Sequence, residues 1–178
     1  MKKYCLTLVL SLFLFSCEQP STETRITKPA YLIFGPYSFA MSRKQFDSIE
    51  LHPPRYPFII MDEKFTPDGG LSALKGYGFE GLPAAYYEIF LKKKLNRITA
   101  QMQHTHGEPT AKTSFPNASE VAKSNADFFT AAWRRKSYLI RIGITYSSKS
   151  KTYETVIQAQ DTLNSELGFA PLNPLLGK

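Results

Sequence analysis

The chain predicts an α+β domain, an antiparallel sheet of about 5–7 strands with one or two short helices on one face. Three observations predict it. Two long stretches near the C-terminal end alternate apolar and polar residues with period two, the pattern of strands. A capping box opens one short helical stretch. Glycine and proline clusters cut the remaining chain into short runs.

Tyr31 to Phe34 is a short apolar run read as a strand, ended by Gly35-Pro36. Ser42-Arg43-Lys44-Gln45 follows as the capping box. The Ser42 hydroxyl can accept from the third helical N–H while Gln45 reaches back, which sets a helix from Arg43 to Leu51. Pro53, Pro54 and Pro57 then force an extended loop. Tyr56 to Phe65 reads as a strand, Pro67-Asp68-Gly69-Gly70 as a turn, and Leu71 to Phe79 as a strand with a bend or bulge at Gly76-Tyr77-Gly78. Ala84 to Leu91 and Leu95 to Gln103 read as a hairpin around Lys92-Lys93-Lys94, because Ile98, Ala100 and Met102 alternate with Arg97, Thr99 and Gln101. Asn117 to Trp133 fits two readings equally: a helical stripe throughout, or a short helix to Asn125 and a strand to Trp133. The last hairpin is the clearest. Tyr138, Ile140, Ile142, Ile144 and Tyr146 alternate with Leu139, Arg141, Gly143 and Thr145, and Tyr153, Thr155, Ile157 and Ala159 repeat the pattern after a polar tip at Ser147 to Lys151.

The N-terminal segment carries an address. Lys2 and Lys3 precede an apolar run from Leu6 to Phe15. That run of about ten residues is roughly 15 Å long as a helix, against a bilayer core of about 30 Å. It fits the apolar region of a signal peptide. The run ends at Leu14-Phe15-Ser16-Cys17, which resembles the lipobox of bacterial lipoproteins. The resemblance implies cleavage after residue 16, lipidation of Cys17 and residence in the bacterial cell envelope. Glu18 after the cysteine resembles the outer-membrane sorting class. The chain thus divides into 1–16 as signal peptide, 17–30 as lipidated cysteine and flexible tether, 31–162 as the α+β domain and 163–178 as a C-terminal tail. Two or more acyl chains hold a protein stably where one binds only marginally.

The net charge is +7, with Lys2 and Lys3 included, and it is spread along the chain. A nucleic-acid footprint concentrates its charge on one face, so no nucleic-acid partner is expected. Cys5 lies in the signal and Cys17 goes to lipid, which leaves the domain no thiol for a disulfide, a metal site or a nucleophile. Neither a nucleophile elbow, a phosphate-cradling loop nor a dinucleotide fingerprint occurs, and no cofactor is implied.

His104-x-His106 is the one metal-like spacing, since i and i+2 share a face on a strand; without a third ligand it reads as two histidines at a strand end. Asp62-Glu63, Asp68, Glu80 and Glu88 read as solvated charges. Lys92-Lys93-Lys94 and Arg134-Arg135-Lys136 read as turn protection or as a contact surface. The candidate binding residues are Trp133 and Arg134, types enriched at hot spots, with Tyr77 and Tyr86 as further aromatic contacts. Asp47-Ser48-Ile49 and Asp161-Thr162-Leu163 resemble tripeptides glycosylated at Ser or Thr on exported proteins of Bacteroidota, which marks Ser48 and Thr162.

Phe39-Ala40-Met41-Ser42, leading into a short helix and then strands ending near Gly107-Glu108-Pro109, resembles BamE-like and β-lactamase-inhibitor-like modules. That resemblance implies a non-catalytic domain that binds proteins. The leading expectation is therefore a membrane-anchored envelope lipoprotein acting as a non-enzymatic interaction module, with an envelope protein as partner. The alternative is a glycan- or small-ligand-binding lipoprotein using exposed aromatics, and a small hydrolase using carboxylates or the pair His104 and His106 stands third. Replacing Cys17 by alanine should release the chain into the soluble fraction or leave the uncleaved precursor; fractionation and mass spectrometry read the outcome.

Overall fold

The computed structural model describes residues 31–51, 57–78, 81–124 and 126–163. The lipobox expected at Leu14 to Cys17, the tether expected up to residue 30, Pro53-Pro54, Phe79, Glu80, Asn125 and, from residue 164 onward, the tail expected from residue 163 lie outside them. The elements in chain order are β1 (Leu32–Phe34), β2 (Tyr37–Ser38), α1 (Arg43–Leu51), β3 (Phe58–Phe65) and β4 (Leu71–Gly78). A 3₁₀ turn (Ala84–Tyr86) and a π turn (Tyr87–Leu91) then lead into α2 (Lys92–His106). β5 (Ala111–Lys112), α3 (Ala118–Ser124), β6 (Phe128–Arg134), β7 (Tyr138–Ser147) and β8 (Thr152–Asp161) complete the order. Strands β3 to β8 form one antiparallel sheet in the order β3-β4-β8-β7-β6-β5, and β1 and β2 form a two-stranded sheet. The fold is α+β, as the alternation predicted.

The last hairpin forms the middle of the sheet, with β7 and β8 in register from Tyr138↔Asp161 to Ser147↔Thr152. Ile140, Ile142 and Ile144 face the same side as Tyr153, Ile157 and Ala159 and are buried with them. The capping box forms as read: Ser42 N donates to Gln45 Oε1 at 2.8 Å and Gln45 N to Ser42 Oγ at 3.3 Å. Of the two readings of Asn117 to Trp133, the short helix followed by a strand is the one that forms.

The hairpin read across Ala84 to Gln103 does not form. The segment is helical, and Lys92-Lys93-Lys94 is the first turn of α2 rather than a hairpin tip. Leu91, Leu95, Ile98, Thr99 and Met102 are buried, while Ala100 is exposed. These spacings of four, three, one and three follow the helical period. Ile98 and Met102 suit both templates, because four residues is one helical turn and two strand repeats. Gly107, with φ +76, ends the helix and donates its N–H to the Gln103 carbonyl at 2.8 Å. Three α-helices are present among the described residues, one of fifteen residues, where one or two short ones were expected. The bulge expected at Gly76-Tyr77-Gly78 falls on the neighbouring strand: β3 shifts register between Ile60 and Asp62, opposite Gly76 and Lys75.

All the described helices pack on one face of the large sheet. The Phe46 ring of α1 meets Phe65 edge-on at 5.7 Å. Leu95, Ile98 and Met102 of α2 and Val121 of α3 join the same core as the β7 isoleucines. The β1–β2 pair adds Phe34 against Phe58 at 5.5 Å. The opposite face carries Ala73, Phe129, Leu139, Arg141, Val156 and Gln158, each less than a tenth exposed.

Gly143 of β7 sits directly against the β6 backbone at Phe128 and Phe129. A Cβ there would run into the Phe128 carbonyl and stand 2.6 Å from the Phe129 Cα. Since both neighbours are backbone, the clash has no flexible side chain to absorb it. Gly143→Ala is expected to lower stability by on the order of 3 kcal/mol, near the upper end of overpacking effects; urea unfolding followed by fluorescence of the single Trp133 measures it.

Candidate functional site

Two surfaces carry the unusual chemistry. The first is the knuckle before α2. Pro83 opens the 3₁₀ turn, and the following π turn holds five residues. Its inward side chains, Tyr87 and Leu91, are fully buried. The wide turn leaves Tyr86, Ile89 and Phe90 pointing outward, 49%, 68% and 54% exposed. The Tyr86 and Phe90 rings meet edge-on at 5.4 Å, so these apolar groups form one patch. Lys92 and Lys93 stand exposed next to it, and the Lys92 ammonium lies 5.5 Å from the Phe115 ring centre.

The base of the knuckle is fixed by tilted and edge-on aromatic contacts. Tyr87 packs on Phe115 at 4.9 Å and on Tyr153 at 4.6 Å, and Tyr153 packs on Tyr146 at 4.9 Å. The Tyr87 hydroxyl donates to the Pro116 carbonyl at 2.9 Å, and the Tyr153 hydroxyl to the Ala118 carbonyl at 3.1 Å. Burial pushes the Tyr87 phenol well above its ordinary value, so it stays protonated and keeps donating.

The second surface is the sheet face opposite the helices. Lys75, Gln158 and Arg141 lie side by side on β4, β8 and β7. Lys75 pairs with Asp127 at 2.5 Å and lies 5.2 Å from the Tyr77 ring centre. Burial alone would lower the Lys75 ammonium, but the bonds to Asp127 and Tyr77 outweigh it and raise the group. Arg141 donates Nε–H to Gln158 Oε1 at 2.8 Å, and its guanidinium stacks 4.1 Å over the Phe129 ring. Burial pulls Arg141 down to about 10, with Asp127 opposing, so it remains a cation near neutral pH. A separate groove of about 280 Å³ lies between β1 and α2, floored by Phe34, Phe58, Ile98 and Met102 and rimmed by Gln101 and Thr105. Among the described residues no charged side chain lines it.

The four binding candidates do not meet. Tyr86 is on the knuckle and Tyr77 is half-buried beside Lys75. Arg134 and Tyr77 share a sheet face but sit four residues and three strands apart by register. That is about 13 Å along the strands and about 14 Å across them. Trp133 is fully buried and donates its indole N–H to the Gly107 carbonyl at 2.8 Å, so its ring is core and offers no stacking platform. Arg135, in the same basic cluster as Arg134, donates to the His106 carbonyl at 2.6 Å.

His104 and His106 lie on α2 instead of a strand. Two residues apart on a helix is about 200°, so the rings point to different sides. His104 is exposed, whereas His106 turns inward and bonds the Ile33 carbonyl through Nε2 at 2.9 Å. Among the described residues no three His, Cys, Asp or Glu side chains cluster to hold a metal. Glu63 pairs with Arg43 at 3.0 Å, and Asp68 accepts from the Thr66 hydroxyl in its turn.

Arg141 and the pair Ile89-Phe90 were not singled out by sequence. A signal existed for each. Arg141 is the one charge inside the apolar run Tyr138 to Ile144. Ile89 and Phe90 fall off the stripe set by Tyr87, Leu91 and Leu95 once the segment is read as helical. No protein-family model matches the chain, and no curated protein or solved structure matches it at a significant level.

Burial holds His106 below the ordinary imidazole value, with the Ile33 bond opposing and Arg135 adding to the shift. The unfolded chain therefore takes up this proton at a higher pH than the folded one. Stability from this site is complete above about pH 6.5 and is lost as pH falls below it. Thermal unfolding between pH 7 and pH 5 should show a falling Tm, with a shallower fall in His106→Gln, where that proton has nowhere to bind.

Proposed function

We propose that the chain is a membrane-anchored envelope lipoprotein whose domain acts as a non-enzymatic protein-interaction module. The observation that carries this reading is the Tyr86–Ile89–Phe90 patch. Single exposed apolar residues are ordinary, but a contiguous group with two aromatics on a fixed base is the composition of an interface core. Lys92 and Lys93 beside it form a basic rim, which favours a partner with an acidic rim and speeds encounter with it. The aromatic base keeps the patch from collapsing inward, so little ordering is needed on binding. The lipid anchor expected at Cys17 concentrates the domain at a membrane, where a modest contact suffices.

The glycan reading draws less support. Stacking on a sugar needs exposed ring faces on one surface, and Tyr77, Tyr86 and Trp133 lie on separate parts of the fold.

A photo-crosslinking residue at Phe90, in the full chain within native envelopes, should give one discrete protein adduct. Ile89→Asp should abolish that adduct and leave Tm nearly unchanged, because surface substitutions usually stay within about 0.5 kcal/mol. Adducts with lipid alone, or none beyond those from an exposed control position such as Lys149, would overturn the reading.

A further inference from the structure

We propose that Arg141 anchors a carboxylate-binding site on the helix-free face of the sheet. This site lies apart from the knuckle and does not depend on the reading given for it. Arg141 is 4% exposed, on the middle strand of the sheet. Its Nε is satisfied by Gln158, but its Nη1 is buried and has no hydrogen-bond acceptor. A buried charged donor left unpaired is costly, and native structures rarely tolerate one without a reason. The stack on Phe129 does not meet the need. Cation–π contact uses the face of the guanidinium, whereas its N–H groups point outward in the plane. The open requirement is therefore for an acceptor that arrives edge-on.

The shape of the open donor selects the class of ligand. Asp127 is held by Lys75 at 2.5 Å and Asp62 stands opposite Lys75 in register, and neither meets Arg141 Nη1. A carboxylate is planar and matches the guanidinium fork with near-linear bonds. A phosphate carries more charge near neutral pH and costs more to bring into a buried row. Gln158 can assist: its Oε1 faces Arg141, which leaves its Nε2 as a donor beside the same position. The half-buried Tyr77 and the buried Val156 border the row, so the body of the ligand meets apolar surface. No described helix lies over this face.

The experiment uses the full chain in detergent micelles, with Tm read from Trp133 fluorescence. Sodium acetate and sodium butyrate are titrated against sodium chloride and sodium phosphate at matched ionic strength. The carboxylates should raise Tm saturably, by on the order of 5 °C at a hundredfold excess over Kd. Arg141→Met keeps the packing volume and should lose the response. Gln158→Glu places a carboxylate of the chain itself beside Arg141 and should also lose it. An equal rise in Arg141→Met, no rise for any carboxylate, or a larger rise with phosphate than with acetate would overturn the proposal. If Arg141→Met fails to fold, Gln158→Glu decides: a full response to acetate in that variant counts against the site.

Discussion

Everything described in this fold is attached to the pairing of β7 with β8. Ten residue pairs run from Tyr138↔Asp161 to Ser147↔Thr152 without a register shift. β4 adds to the outer edge of β8, and β6 to the outer edge of β7. Because the side-chain period is two, a slip of one residue would turn every isoleucine of β7 to the wrong face. Ile140, Ile142, Ile144 and Ile157 are fully buried, and burying each such side chain contributes about 1.5–3 kcal/mol. The register is therefore set by the core and not by the polar tip.

The two faces of that hairpin solve different problems. The helix side is a continuous apolar core, to which α2 brings a stripe at helical spacing. The other side mixes Val156, Leu139 and Phe129 with Arg141 and Gln158. Arg141 is buried on this face, so its charge is held within the protein and not in bulk water. It is held instead by an aromatic face, one amide oxygen and a distant carboxylate. That arrangement keeps the charge but leaves part of its hydrogen-bonding capacity open.

The aromatic corner explains why a π turn survives in front of α2. Tyr87 is gripped on both sides by rings and by a bond to Pro116. With Tyr87 and Leu91 fixed inward, the extra residue of the wide turn pushes Ile89 and Phe90 out. At the other end of α2, Gly107 accepts from Trp133, and His106 bonds Ile33, so the helix is tied to β6 and β1 at once. Both ends of the longest helix are thus fixed by polar atoms inside an otherwise apolar core. The Tyr86–Ile89–Phe90 patch in the turns before this helix is therefore carried by a stiff support.

The sequence alone determined what local chemistry can specify. The capping box set the first helix because its partners lie three residues apart, and strict alternation set the last hairpin. The resemblance of Leu14-Phe15-Ser16-Cys17 to a lipobox is likewise local and needs no fold to be read. Tertiary structure decided the segment from Ala84 to Gln103, where Ile98 and Met102 satisfy both periodicities and only the sheet beneath them chooses the helix. It also decided which aromatics are surface: Trp133 and Tyr86 are alike as residue types, yet one closes the core and the other faces solvent. The Arg141 site belongs wholly to this second class. Lys75, Asp127, Phe129 and Gln158 are scattered along the chain, and only strand order brings them beside one guanidinium.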